Sequence, residues 1–254
     1  MASDLTDDGA LAGRLRLLQP RRGHRFGHDA ILLASATPAR DGELGAELGA
    51  GIGAAGLALA WRVAGARVRL VEIDPGLAAL AAENARRNGL ADRVEAVALD
   101  VSAAPAAFAR AGLPPGSCDF VLMNPPFNDP GRHQASPRPG RRLAHVSPPT
   151  ALPLWVATAA RLLRPGGVLT VMYRADAFDR VMAALAPCFG AITVMAIHPK
   201  PGTDAIRVIV RAVNGSRARC AIAPGLILSQ ADGRPSAAAD AVLRDGAILP
   251  LAMG

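Results

Sequence analysis

Two short runs carry the residue types from which a site could be built. Glu47-Leu48-Gly49-Ala50-Gly51-Ile52-Gly53 sets three glycines at alternate positions behind a carboxylate. Asn124-Pro125-Pro126-Phe127 joins an amide, a stiff Pro-Pro turn and an aromatic ring. Alternating glycines permit a tight turn and let a ligand approach the backbone at a helix N-terminus, which is the chemistry of nucleotide binding. Gly51-x-Gly53-x-x-Gly56 also satisfies the dinucleotide fingerprint, with Glu72 at the spacing of a ribose-binding carboxylate. Further acids stand in Val71-Glu72-Ile73-Asp74 and Leu99-Asp100-Val101. The glycine motif by itself does not choose between nucleotide cofactors.

The elements that must position these residues alternate along the chain. Short apolar runs at 43–48, 67–73, 93–99, 118–123 and 167–173 read as strands. Ala-rich stretches at 53–64, 75–88, 104–111, 150–163 and 177–186 read as the helices among them. Strands too apolar to have a wet face, separated by helices, imply an α/β fold: a mostly parallel sheet covered on both faces. Two last strands, 191–198 and 205–212, have only a Pro-Gly turn between them, so they are expected to be antiparallel. The glycine run then closes the first strand of this core. Glu72, Asp100 and Asn124 fall at the ends of later strands, where open α/β sheets bind ligands. Outside the core, the N-terminal piece has a strand-like 15–18, a turn around 20–23 and a helix starting at Asp29. The C-terminal piece has a strand-like 226–228 and a helix near 236–243. The expected division is an N-terminal hairpin and helix extension at 1–40, a cofactor-binding domain at 41–213 and an extension at 214–254 packed on the core.

Three features lean toward S-adenosylmethionine rather than a dinucleotide. Glu47 at the strand end would crowd a pyrophosphate but suits a cofactor with a sulfonium, an ammonium and no phosphate. Acids recur at three successive strand ends. The antiparallel ending is the one that S-adenosylmethionine-dependent methyltransferases show and dinucleotide domains generally lack. An NAD(P)-dependent dehydrogenase stays as the competitor from another class.

Asn124-Pro125-Pro126-Phe127 resembles the fourth motif, Asn/Asp-Pro-Pro-aromatic, of the amino-methylating class I methyltransferases. That resemblance implies a Rossmann-like, seven-stranded, mostly parallel sheet with an antiparallel last strand and helices on both faces. An exocyclic amino group is a poor nucleophile because its lone pair is delocalised. The Asn124 side-chain oxygen and the Pro125 carbonyl could accept its two N–H bonds and aim the lone pair at the methyl group. Pro126 stiffens the turn without a competing donor, and Phe127 would stack on a target base. The closer likeness is to the bacterial tRNA(Val) adenine-N6 methyltransferases of the small methyltransferase domain, which act beside the anticodon. It is carried by Leu15-Arg16-Leu17-Leu18-Gln19-Pro20, by Arg25-Phe26-Gly27-His28-Asp29, by Asn84 and Asn88, and by Ala144-His145-Val146. It implies that Asp29 helps close the cofactor site, and that Glu47, Gly49, Gly51, Gly53, Glu72, Ile73, Asp100, Val101 and Asn124 surround the cofactor. Many members carry Tyr where this chain has Phe127. Ribosomal-RNA guanine-N2 and protein glutamine-N5 methyltransferases share the motif and remain alternatives, as does a catalytically silent RNA-binding relic.

Charge sharpens the expected partner. The 254 residues carry 28 Lys and Arg against 21 Asp and Glu, a formal net charge of +7, with a single lysine, Lys200. Arginines crowd the N-terminal piece, including Arg21 and Arg22, and the segment after Phe127, with Arg132, Arg138, Arg141 and Arg142. Basic density beside a base-accepting motif is what an RNA needs, a tRNA above all. Pro and Gly punctuation in that segment predicts a mobile, non-helical loop. Half the residues, 51%, are hydrophobic and only 4% aromatic, so Ala, Leu and Val must fill the core. Neither a membrane-length apolar run nor a basic-then-apolar leader appears. Three scattered cysteines and five histidines lack metal-ligand spacing, so no metal is expected and a cytoplasmic setting fits. The sequence leaves the oligomeric state open.

Overall fold

The computed structural model describes residues 4–23, 25–126 and 151–253. The core strands are β3 (Leu44–Leu48), β4 (Arg67–Glu72), β5 (Val94–Ala98), β6 (Cys118–Met123), β7 (Leu163–Arg174), β8 (Phe189–His198) and β9 (Arg207–Asn214). They lie in the order β8-β9-β7-β6-β3-β4-β5. Pairings from β7 through β6, β3 and β4 to β5 are parallel, while β9 runs antiparallel between β7 and β8. The antiparallel ending expected from the turn after His198 is therefore present. It lies inside the sheet, not at its edge.

Alternate residues of each strand enter opposite cores, as the period of two requires. Leu70, Phe120 and Leu122 pack with α1 (His28–Ala36), α2 (Ala54–Arg62) and α3 (Pro75–Arg87). Val71, Val121 and Met123 pack with α4 (Pro105–Arg110), α5 (Ala151–Leu162) and α6 (Phe178–Leu185). The Ala-rich α2 is buried along most of its length because small side chains let it lie close to the sheet. At Gly56 a Cβ would come within 2.4 Å of Leu70 Cδ2, so glycine is required by close approach. Asp74 caps α3 by accepting the Gly76 and Leu77 N–H groups at 2.7 and 3.1 Å, with Pro75 opening the helix.

The sheet departs from expectation in its extensions. Among the described residues it has nine strands, because β10 (Ala221–Ile222) and β11 (Leu226–Ile227), the latter on the strand-like run expected at 226–228, pair parallel with the edge of β8. β7 begins at Leu163, not 167; Cys118 pairs with Leu163 and Phe120 with Val168, and a bulge absorbs the extra residues. The tail then forms α7 (Ala237–Asp245), N-capped by the Ser236 hydroxyl, and returns to α1, where Leu249 N–H donates to Ser35 O at 2.9 Å.

At the other end, β1 (Leu5–Ala10) and β2 (Leu15–Pro20) form an antiparallel hairpin. Its turn lies at Leu11–Gly13, where Leu11 and Ala12 adopt positive φ, and the turn expected around 20–23 is a bend at 21–23 that leads from β2 toward α1. The hairpin docks on α3 through two asparagines one turn apart. Asn84 accepts from Leu18 N–H and donates to Leu18 O (2.8 and 3.0 Å), and Asn88 does the same for Arg16 (2.9 and 2.9 Å). The two side-chain amides thus pair with the outer edge of β2 as another strand would.

Candidate functional site

The sheet order reverses direction at β3, with β4 and β5 on one side and β6 on the other. Ligands of open α/β sheets bind at such a switch point, outside the strand carboxyl ends. The sequence-singled residues gather there. Gly49, Gly51 and Gly53 follow β3, Glu72 ends β4 with Ile73 just after it, Asp100 and Val101 follow β5, and Asn124 and Pro125 follow β6.

The loop after β3 turns sharply. Gly49 and Ala50 both donate N–H to Val71 O, at 2.8 and 3.0 Å. Gly51 and Gly53 take φ of +56° and +84°, a region strained for side chains with a Cβ. A Cβ on Gly51 would meet nothing within 4 Å, so that side faces open space. Glu72 is 8% exposed; one carboxylate oxygen accepts Gly51 N–H at 2.7 Å and the other accepts Asp74 N–H at 3.0 Å. Next to it Ile73 is 53% exposed, an apolar ledge among acids. Asp100 is exposed and accepts Ser102 N–H at 2.7 Å, while Val101 is buried. At the end of β6, Asn124 Oδ1 is buried and has no hydrogen-bond partner among the described residues. Pro125 beside it is buried and Pro126 half-buried.

Glu47 takes a different direction from its neighbours. Its carboxyl turns under the loop and accepts Gly56 N–H from α2 at 2.7 Å. Burial pushes it up to about 8, against the Gly56 hydrogen bond and with the nearby Glu72 adding to the rise. Between the ordinary carboxylate value and about 8, the folded chain holds a proton that the unfolded chain has released. Stability therefore falls as pH rises through that window, with a limiting slope of about 1.4 kcal/mol per pH unit. Glu47→Gln keeps an oxygen for Gly56 N–H but cannot ionise. Its urea midpoint should gain on the parent as pH rises from 5 to 8, and a gap independent of pH would overturn this assignment of the proton.

Other singled residues lie further out. Asp29, at the start of α1, accepts from Arg207 Nε at 3.0 Å, at the carboxyl edge of β7 where Arg207 pairs with Arg174. Arg21 and Arg22 are exposed in the connection from β2 to α1. Their neighbours are engaged within the chain: Arg16 and Arg87 with Asp7 at 3.2 and 2.6 Å, and Arg25 with Asp8 at 2.8 Å. Phe127, Arg132, Arg138, Arg141 and Arg142 lie outside the described residues, as does the loop expected around them. Two site neighbours escaped the sequence reading. Trp155 and Thr158 of α5 touch the glycine loop and the Val101 carbonyl. The rarity of tryptophan, two in the chain, was the one available signal for the first.

A strand order of this kind, with a glycine loop and acids at the switch point and an antiparallel strand inserted before the edge, is the fold of the class I S-adenosylmethionine-dependent methyltransferases. Residues 25–200 match the model of the methyltransferase small domain, and the chain belongs to that family. It is similar to a release factor glutamine methyltransferase of Chlorobaculum tepidum, 32% identical over 176 residues that cover 66% of this chain and 58% of that protein. It is also similar to a tRNA1(Val) (adenine(37)-N6)-methyltransferase of Tolumonas auensis, 28% identical over 166 residues, 65% of each. Among solved structures, a predicted O-methyltransferase from Agrobacterium tumefaciens superposes with a TM-score of 0.71 at 30% identity, covering 87% of this chain and 98% of that one. The chain thus spans 58% and 65% of the two curated relatives. The family and the sheet's ending leave the dehydrogenase reading without support.

The residues present fit S-adenosylmethionine. The open side of Gly51 gives backbone access, half-exposed Ile73 offers an apolar face to a nucleobase, and a buried acceptor at Asn124 has no partner among the described residues. Among the described residues no helix is long and apolar enough to cross a membrane.

Proposed function

We infer that the chain methylates an exocyclic amino group, and that its substrate is adenine N6 of a tRNA near the anticodon. The observation that carries this is the buried Asn124 Oδ1 at the switch point, which has no partner among the described residues. A buried polar atom without a partner costs about 1–3 kcal/mol, a loss that a ligand N–H would reverse on binding. When bound, S-adenosylmethionine supplies an electrophilic methyl group. Glu72 holds the ribose hydroxyls, Asp100 the adenine amino group, Ile73 and Val101 the adenine ring, and the 49–53 loop the methionine end, with Asp29 closing the site. Asn124 Oδ1 and the Pro125 carbonyl accept the two N–H bonds of the target amine. These two acceptors would aim the amine's lone pair at that methyl group, and the N–H made acidic by the transfer would give its proton to water. Rate comes from alignment and hydrogen bonding. In this reading 41–213 is the catalytic domain of a cytoplasmic enzyme. Phe127 stacks on the base, and Arg21, Arg22 and the arginines after Phe127 hold phosphates.

A second reading has its own support. The release factor glutamine methyltransferase relative reaches 32% identity, and a glutamine side-chain amide is another planar nitrogen with a delocalised lone pair. The paired arginines of the hairpin also reduce the free positive charge near β2. Incubation with S-adenosylmethionine and unmodified bulk tRNA, followed by nucleoside mass spectrometry, should yield N6-methyladenosine. Methylation of a release-factor peptide with none on tRNA would replace the RNA reading with the protein one.

A further inference from the structure

The cofactor cleft has two walls that belong to distant parts of the chain. One is the loop after β3, which starts at Gly49; the other is the turn after β5, at Asp100 and Val101. Both meet one face of α5. Trp155 and Thr158 are three residues apart, so they share that face. The Trp155 ring lies so close to Gly49 that a Cβ there would come within 2.4 Å of Cη2 and 2.9 Å of Cζ3. Gly49 has φ of +69°, so position 49 is confined to glycine by conformation and by the ring together. One turn on, the Thr158 hydroxyl, buried at 2% exposure, donates to Val101 O at 3.0 Å. The helix itself is anchored, because Val156, Ala159 and Leu162 are buried in the core beneath it.

We propose that Trp155 and Thr158 are positioning residues that set the spacing of the two cleft walls, and hence the fit of the cofactor's nucleoside. The proposal rests on the cofactor reading above. Trp155 bears on the loop that takes the methionine end, and Thr158 holds the carbonyl following the acid that takes the adenine. Glu72 and Ile73 lie between them, since β4 separates β3 from β5. A residue that only filled the core would affect stability and leave ligand affinity alone.

The test separates those two roles. Trp61, the other tryptophan, packs against Gly246 far down the chain, so Trp61→Phe leaves Trp155 as the sole indole fluorophore. Titration of this protein with S-adenosylhomocysteine should change Trp155 emission saturably, with the midpoint that calorimetry gives. Thr158→Val in the full chain should bind S-adenosylhomocysteine about tenfold more weakly, the size of one neutral hydrogen bond. Thr158→Ser, which restores the hydroxyl, should recover most of that loss. Calorimetric binding with unchanged Trp155 emission, and an unaltered affinity in Thr158→Val, would overturn the positioning role and leave the cofactor reading intact. An affinity loss that Thr158→Ser does not restore would also overturn it. No binding of S-adenosylhomocysteine by the parent would remove the cofactor reading itself, and this proposal with it. Should Thr158→Val fail to fold, the fluorescence titration decides alone.

Discussion

Asn124→Ala should lower methyl transfer by about 10²–10³-fold while cofactor affinity stays within about threefold of the parent. The asymmetry follows from where the amide points. Its oxygen is buried without a partner among the described residues, so removing it breaks no described hydrogen bond to that atom. The same reasoning predicts a melting temperature equal to the parent's or slightly higher, because an unsatisfied buried acceptor costs stability. A loss confined to turnover is the mark of an interaction made with the reacting amine. Asn124→Asp keeps an acceptor oxygen and should retain more activity than the alanine variant. Single-turnover transfer and calorimetry with S-adenosylhomocysteine on the same preparations make the comparison. Equal losses of turnover and affinity would remove Asn124 from the amine and assign it to the cofactor.

The largest effect on stability is expected at Asn84. This fully buried side chain satisfies Leu18 N–H, Leu18 O and Ile52 O, the last at 3.1 Å, so it ties the hairpin, α3 and the glycine loop at one point. Asn84→Ala strands three groups and should cost about 3–5 kcal/mol. In a chain of this size that lowers the melting temperature by about 10 °C. Asn88→Ala, at the half-buried outer end of the same pairing, should cost about 1 kcal/mol because water can reach its partners. Because Ile52 belongs to the loop, Asn84→Ala should also weaken S-adenosylhomocysteine binding, whereas Asn88→Ala should not. Urea unfolding of both variants measures the difference. Equal costs at the two positions would show that the hairpin is held by its apolar contacts, Leu15 and Leu17, and not by the amides.

The reach of the sequence is uneven, and the unevenness has a cause. The order of strands and helices, the glycine loop at a strand end and the antiparallel close of the sheet were legible. Each is written in a few contiguous residues: a period, a cap, or a Pro-Gly turn too short for a crossover helix. β1 was not legible. Leu5-Thr6-Asp7-Asp8-Gly9-Ala10 has no strand pattern of its own and pairs with β2 once Arg16, Arg87 and Arg25 neutralise Asp7 and Asp8. The two-residue β10 was not legible either and exists because β8 offers an open edge, whereas β11 falls on the strand-like run expected at 226–228. Glu47 shows the same limit inside the site. Its place at a strand end was readable, but its turn toward Gly56 depends on how closely α2 approaches the sheet.

The sequence by itself determined the class of fold and the identity of the residues at the strand ends, since backbone preference and burial pattern act over a few neighbours. Only the tertiary structure decided which of those residues face the cleft and which support it. The contacts that settle this, Asn84 with Leu18 and Thr158 with Val101, join positions 66 and 57 residues apart. Side-chain direction at such distances is set by which surfaces the packed core brings together, and no local pattern encodes that.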